Sequence, residues 1–377
     1  MKLRQKPEDF VVEEINEFNI SDKGKYKLFL LEKKCIETFS LLGYLSKKNK
    51  IPISEFGIAG LKDKHAVTKQ YMTVPAKYDI KTMQEQNFKI TFLGFVDEQI
   101  KSGDLKGNRF IITARDVRKG DVTGIYNRAN AIPDGMPNYY DSQRFGSAIG
   151  KEFIAKHILQ KDYEMAVKIY LTKYTKFESK RIKDEKRRIL ANWDNLSGIE
   201  IGNKTFAKII GNYLKTKSWL EAYKQIPSNL REMFVSAYQS YLWNECIKQL
   251  LKKFAGKQLY PIEYAAGSLL FYKRLDAKIP SSFKTISEDT PASGIEKEII
   301  ENVLEKEGIT LNDFKNIRIT GNFFKTHERE VIVKPSDFKI SEPAADELNK
   351  NRLKIVLSFG LPKASYATII TKKIFNN

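Results

Sequence analysis

The chain has 377 residues, 42% of them hydrophobic and 12% aromatic, with 65 Lys and Arg against 46 Asp and Glu, a formal net charge of +19. That length is ample for a large core and suits two domains, and the basic excess favours a polyanionic partner, because each neutralised phosphate releases a condensed counterion. Two cysteines (Cys35, Cys246) and three scattered histidines (His65, His157, His327) give neither a disulfide framework nor a metal-ligand pair, and neither a signal-peptide core nor a bilayer-spanning run is present, so the expectation is a soluble cytoplasmic protein.

From the N-terminus, "DFVVEEI" (9–15) and "KYKLFLLEKK" (25–34) read as strands; in the second, Phe29 and Leu31 share one face, Leu28 and Leu30 the other. A helix follows over 37–50, with Thr38 as its N-cap. "GIAGLKDKHAVTKQ" (57–70) reads as a loop. It is not a phosphate loop: Lys62 does not follow a glycine, and Asp63 stands where a magnesium-binding hydroxyl belongs. A carboxylate there would repel a polyphosphate. Strands at 88–98 and 108–117 and a helix over 121–132 complete this part. Without a regular βαβ rhythm, the class is α+β.

From about Lys151 the texture turns helical, first over 151–171 and again over 234–254, where Phe234, Tyr238, Tyr241, Leu242 and Cys246 lie along one side. Between them, Lys173–Arg188 carries eight basic and three acidic residues. Strand patterning returns at 329–340 and 351–360, and the chain closes with "YATIITKKIF". The simplest division is a mixed-sheet domain built from both chain ends, 1–154 and 327–377, interrupted by a largely helical insertion, 155–326.

Three segments could carry chemistry. Lys62, Lys64 and His65 flank Asp63 and would keep it ionised, as a nucleophilic carboxylate requires; the alternative is an Asx-type turn. A glycosidase would need a second carboxylate, and spacing places none of Asp79, Glu13 or Glu14 beside Asp63. In "MPNYYDSQRFG" (136–146), Tyr139, Tyr140 and Phe145 offer stacking faces, Asn138 and Gln143 can read base edges, and Arg144 can grip a phosphate or a carboxylate. Core packing would explain the same aromatics. The run 173–188 is either a solvated helical face or an RNA contact, and Gly107 with Arg109 marks a strand entry or a phosphate contact.

Taken together, "AGLKDKHAVTKQ", "PEDFVVEEI", "LKGNRF", "PNYYDSQRFG", "FVSAYQSYLWN" and "LPKASYATIITKKI" stand in the order of the TruD family of tRNA pseudouridine synthases, which the chain resembles over most of its length. The resemblance implies conversion of a tRNA uridine, position 13 in the bacterial type, to pseudouridine without cofactor or metal. It implies Asp63 as nucleophile, and a uridine pocket lined by Arg4, Phe10, Asn138 and Tyr366. Lys62, Tyr140, Gln143 and Arg144 join these as expected RNA contacts. The implied architecture is the pseudouridine-synthase α+β sheet with an insertion domain across an RNA-binding cleft. tRNA is the expected partner, with no membrane, and a monomer would suffice.

Three positions depart from the family pattern: Tyr140 stands for a phenylalanine, so its hydroxyl needs a partner or water, and Asp141 and Ala364 stand where glycine is frequent. Asp141 would be strained at positive φ and adds negative charge near RNA. The rival expectations are the same chemistry on a wider set of RNAs, a catalytically silent RNA-binding protein, and, more distantly, a sugar-directed hydrolase.

Overall fold

The computed structural model describes residues 1–148, 152–175, 178–255, 259–275 and 278–375. The chain forms two compact units, Met1–Met136 with Val333–Asn377, and Pro137–Ile332. These bounds differ from the breaks drawn from composition: 137–154 and 327–332 group with the second unit.

The first unit is organised by one sheet, ten-stranded among the described residues. Its strands include β1 (Phe10–Ile15), β2 (Tyr26–Lys34), β3 (Gly57–Ile58), β4 (Val67–Pro75), β5 (Met83–Glu85), β6 (Phe88–Val96) and β7 (Gly107–Val117). β1 runs parallel to β4 and antiparallel to β7, while β2 lies antiparallel between β4 and β6. The late strand Leu353–Pro362 pairs with β7, so the two chain ends share the sheet. The fold is therefore α+β with a mixed sheet. Phe29 and Leu31 pack on Leu41, Leu42 and Leu45 of α1 (Thr38–Asn49), and Leu28 packs on the opposite face with Ala59, Val96 and Ile100.

Three local expectations change. The N-cap of α1 is Glu37, whose carboxylate accepts from the N–H groups of Phe39 (3.0 Å) and Ser40 (2.7 Å); Thr38 is buried. The stretch read as loop to Gln70 becomes the central strand β4 from Val67. Its buried positions include Thr68, Gln70 and Thr73, so hydrophobic alternation does not announce it. The strand expected over 329–340 breaks into Glu328–Glu330, Ile332–Val333 and Ser336–Ile340, the second break falling at Pro335, which cannot donate to a ladder.

In the second unit the 151–171 stretch is two helices among the described residues, α2 (Ile154–Leu159) and α3 (Tyr163–Thr172); Lys161 takes φ 60° between them and Asp162 caps the second through Met165 N–H. The 28-residue helix Ser228–Ala255 buries Phe234, Tyr238, Leu242 and Cys246. No helix among the described residues is long and apolar enough to cross a membrane.

A single buried side chain ties the ends of the first unit. Arg115, 2% exposed, meets Asp9 (2.8 Å), Asp346 (2.8 Å) and Glu347 (3.0 Å). It is turned inward at a β-bulge: the pairing of β7 shifts between Leu353 and Ile355, and Asp116 takes φ 57°. Burial works against the ionised form of Asp346, but bonds from Asp116 N–H, Asn349, Leu348 N–H and Arg115 outweigh it and bring its pKa down to about 2. Arg115 and Lys354 likewise hold the Glu347 carboxyl well below the usual range.

Both carboxyls are lowered by folding, so the unfolded chain binds more protons; their contribution is full above pH ~4 and is lost toward pH ~2. Arg115→Leu strands two buried carboxylates and should cost about 3–5 kcal/mol at neutral pH. In urea titrations run from pH 6 to pH 2, the native chain should lose stability steeply at the acid end, and the variant should start low and lose less.

Candidate active site and RNA-contacting residues

Asp63 lies between β3 and β4 on a loop held from beneath. Lys33 of β2 is 2% exposed, and its ammonium donates to the carbonyl oxygens of Ile36 (3.0 Å), Lys62 (3.2 Å) and Asp63 (2.9 Å). An ammonium has three N–H groups, and here each has an acceptor. Burial pushes the Lys33 pKa down, opposed by the charges of Asp63 and Glu37 and assisted by that of Lys62. The Thr38 hydroxyl accepts from Lys62 N–H at 3.3 Å, and the Gln70 amide donates to Gly60 O at 3.2 Å.

Lys62, expected to meet RNA, is turned into the unit instead. Its ammonium pairs with Glu14 at 2.7 Å and donates to Asn108 at 2.9 Å, with side chains 8% and 1% exposed for Lys62 and Glu14. The other Glu14 oxygen accepts from Tyr71 N–H at 2.9 Å. One ion pair thus links β1, the Asp63 loop and β4.

Arg4 approaches from the N-terminal segment. Its Nη2 donates to Asp63 Oδ2 at 2.8 Å, and its guanidinium carbon lies 3.9 Å from the centroid of the Phe10 ring. The Asp63 side chain remains 41% exposed. Arg4 takes φ 59°, a conformation that costs a non-glycine residue about 1–3 kcal/mol and is kept only where the surroundings impose it. They do: Lys2 pairs through its backbone with Arg115, and Asp9 pairs with the Arg115 guanidinium, so Arg4 is bracketed on both sides. Phe10 is 3% exposed and sits edge-to-face on Phe110, which makes it a platform for Arg4.

Tyr366, half-buried, comes just before the helix Ala367–Phe375. The turn before it is anchored by Lys363, which donates to Lys106 O (3.2 Å) and Gly103 O (3.1 Å); Gly103 N–H in turn meets Ala59 O at 2.8 Å, at the root of the Asp63 loop. Ala364 takes φ 63°, so the frequent glycine does mark a left-handed position there. Asp141 is the opposite case: at φ −103° it is extended and unstrained, and its carboxylate caps the short turn Ser142–Phe145.

In the second unit, Asn138 is buried. Its Oδ1 accepts from Arg329 (2.9 Å), and its Nδ2 donates to Glu330 O (3.2 Å). Tyr140 is clamped through its backbone by the Asn244 amide (2.9 Å at N–H and at C=O). Its ring stands edge-on to Trp243, with the Arg329 guanidinium 4.1 Å from its centroid. Gln143 and Arg144 are exposed, and Arg144 donates to Ser240 (3.1 Å) and Ser236 (2.9 Å). Tyr139 and Phe145 are core residues.

In the basic run 173–188, 176–177 lie outside the described residues; of the rest, Lys186 is buried against Lys173 O and Glu178, and Arg187 bonds Asp184 and Tyr174. Gly107 is a strand entry, since a Cβ there would lie 2.3 Å from Leu361 O, and Arg109 is half-exposed beside Asp337 (3.7 Å).

Lys33, Glu14, Arg115 and Arg329 are the residues missed from sequence. For the first two a signal existed: Lys33 is in phase with Phe29 and Leu31, and Glu14 with Phe10 and Val12, so alternation directs both charges inward.

The family model described as "tRNA pseudouridine synthase D (TruD)" matches residues 1–286 and 280–374. "Probable tRNA pseudouridine synthase D 2" of Methanocaldococcus jannaschii is 43% identical over 389 residues, spanning 100% of this chain and 92% of the relative. "tRNA pseudouridine synthase D" of Aquifex aeolicus is 33% identical over 392 residues, spanning 100% and 98%. A crystal structure of a TruD protein from Methanosarcina mazei superposes with a TM-score of 0.75 at 25% identity, covering 100% of this chain and 93% of that one. Fold and matches together define an isomerase of the pseudouridine-synthase class. The chain belongs to the TruD family of tRNA pseudouridine synthases.

Because Glu14 is buried, Lys62→Met should cost about 3–5 kcal/mol, whereas Lys69→Met, which breaks a solvent-exposed pair with Glu13 (2.9 Å), should cost about 1 kcal/mol or less. Urea midpoints of the two variants, measured side by side, check this.

Proposed function

We propose that the chain isomerises uridine to pseudouridine in tRNA, at position 13, with Asp63 as the nucleophile and a uridine drawn out of the tRNA fold. The observation that carries this reading is the Arg4–Asp63 pair: a carboxylate 41% exposed, oriented by a guanidinium that is itself seated on Phe10. The charge-assisted bond fixes one carboxylate oxygen. Lys33 fixes the backbone from below.

In the isomerisation the N1–C1′ bond breaks, the uracil turns, C5 bonds to C1′, the C5 hydrogen leaves as a proton, and N1 takes up a proton in its place. Composition is conserved and no electrons are gained or lost, so neither an oxidant nor a group donor is required. An ionised Asp63 can attack C1′, attack C6, or take the C2′ proton; all three need its oxygen free of protons and aimed at one nucleoside. Tyr366 is assigned to the detached uracil. Asn138 and Tyr140, immobilised by Arg329, Asn244 and Trp243, are assigned to the uridine pocket and its surroundings, and Gln143 and Arg144 to neighbouring nucleotides. The second unit is the insertion that binds tRNA in this reading. Drawing the uridine out costs a few kcal/mol, offset by phosphate contacts to a chain of +19. The cytoplasm is the compartment assigned.

Tritium release from tRNA transcripts labelled at C5 of uridine tests the proposal, because C5 loses its hydrogen only on becoming the glycosidic carbon. The native chain should release label and Asp63→Ala should release none; equal release by both would remove Asp63 from the reaction. Lys33→Met, which leaves three carbonyls without their donor, should lower kcat by about 100-fold through a misplaced carboxylate. A kcat within threefold of native would make Lys33 irrelevant to the aim of Asp63.

A further inference from the structure

Residues 321–327 of the second unit form an extended strap in which orientation alternates. Asn322 (5% exposed) and Phe324 (7%) point inward; Phe323, Lys325 and His327 point outward. Phe323 is 56% exposed although its neighbour Phe324 is packed on Phe314, ring centroids 4.8 Å apart. Nor is the strap loosely held. Lys325 O accepts from the Gln239 amide (2.8 Å) and the Thr285 hydroxyl (3.0 Å), and Gly321 at φ 77° sets the entry. The phenylalanine is therefore held out in water by a fixed backbone, at a standing cost in apolar exposure.

The outward row borders a cavity of about 280 Å³ whose walls also include Glu232, Ser236, Gln239 and Asn322. The Lys325 ammonium stands 4.9 Å from the Phe323 ring centroid. Ser236, on the cavity wall, also takes the Nη2 bond of Arg144, a second exposed cation. One flat aromatic, amide and hydroxyl groups at its edge, and lysine and arginine beside it match the three parts of a nucleotide: a face to stack, a base edge to bond and a phosphodiester to neutralise. The volume suits one base with its sugar, whereas a protein helix or strand would need a longer apolar groove.

We infer that the Phe323–Lys325–His327 row is a nucleotide subsite, which takes one unpaired nucleotide of the substrate tRNA by stacking its base on Phe323 and pairing its phosphate with Lys325 and Arg144. The inference rests on the proposal that tRNA is the substrate. It adds a contact that the sequence motifs do not contain, since none of them includes Phe323.

Equilibrium binding to an unmodified tRNA transcript tests it, with Asp63→Ala as the parent protein so that the RNA is not converted during the measurement. In that background Phe323→Ala should weaken Kd by about tenfold, within the range for loss of one base–aromatic stack, with the melting temperature unchanged. Phe323→Tyr, which keeps the ring, should bind within twofold of the parent. Lys325→Gln should weaken binding less and reduce the slope of log Kd against log salt by about one. A Kd for Phe323→Ala within twofold of the parent overturns the subsite while leaving the proposed function intact. If the parent protein fails to bind tRNA at all while the native chain also releases no tritium, the proposed function fails and the subsite with it.

Discussion

The geometry around Asp63 depends on a buried guanidinium that never touches it. Arg115 sits at a bulge on a central strand, where its side chain gathers Asp9, Asp346 and Glu347 and its backbone pairs with Lys2. Lys2 and Asp9 bracket the segment that carries Arg4, which forces Arg4 into a left-handed backbone conformation and presents its guanidinium to Asp63. A desolvated arginine is costly unless each of its edges is matched, and here three carboxylates match it. The arrangement is worth its cost as a fixture: it converts a short N-terminal strap, which would otherwise fray, into one wall of the site.

The opposite wall obeys the same rule with lysines. Lys33 and Lys62 both lie inside the unit, yet they act differently. Lys62 pairs with a carboxylate, Glu14, and so joins one strand to the loop. Lys33 instead donates to three carbonyl oxygens, which fixes loop geometry while adding a positive charge close to Asp63. Arg4 then pairs with the Asp63 carboxylate at its exposed edge. The carboxylate is constrained through its backbone from below and through one oxygen from the side, and still has 41% of its side-chain surface toward solvent. That combination suits a group that must stay ionised and reach a partner arriving from outside.

In the second unit, part of a basic, aromatic-rich composition is committed to packing and internal pairing. Of the residues of 136–146 expected to meet RNA, Asn138 is buried under Arg329, Tyr140 is locked edge-on to Trp243, and Gln143 and Arg144 are exposed. Within the run 173–188, Lys186 is a buried structural cation, while Lys173, Lys180, Arg181, Arg187 and Arg188 are exposed. The inferred nucleotide subsite lies instead where cations and an aromatic are held outward by a fixed backbone, along 323–327.

By itself the sequence determined the family, the α+β class and the residue that carries the reactive carboxylate in the proposed chemistry, because short motifs in a fixed order survive without any knowledge of packing. Period-two alternation sorted the faces of β2 correctly, and read further it would have directed Lys33 and Glu14 inward, since both continue the buried phase of their strands. Only the tertiary structure decided the rest. β4 was hidden because Thr68, Gln70 and Thr73 fill its buried positions, so no hydrophobic pattern marks it. Arg115 was hidden for a different reason: a bulge resets the alternation at Arg115 and Asp116, turning a residue of the exposed phase into the core. And Lys62, which looked like a cation for RNA, became one for Glu14. A charge in a motif declares its chemistry, but which opposite charge lies within 3 Å is settled by residues far away in the chain.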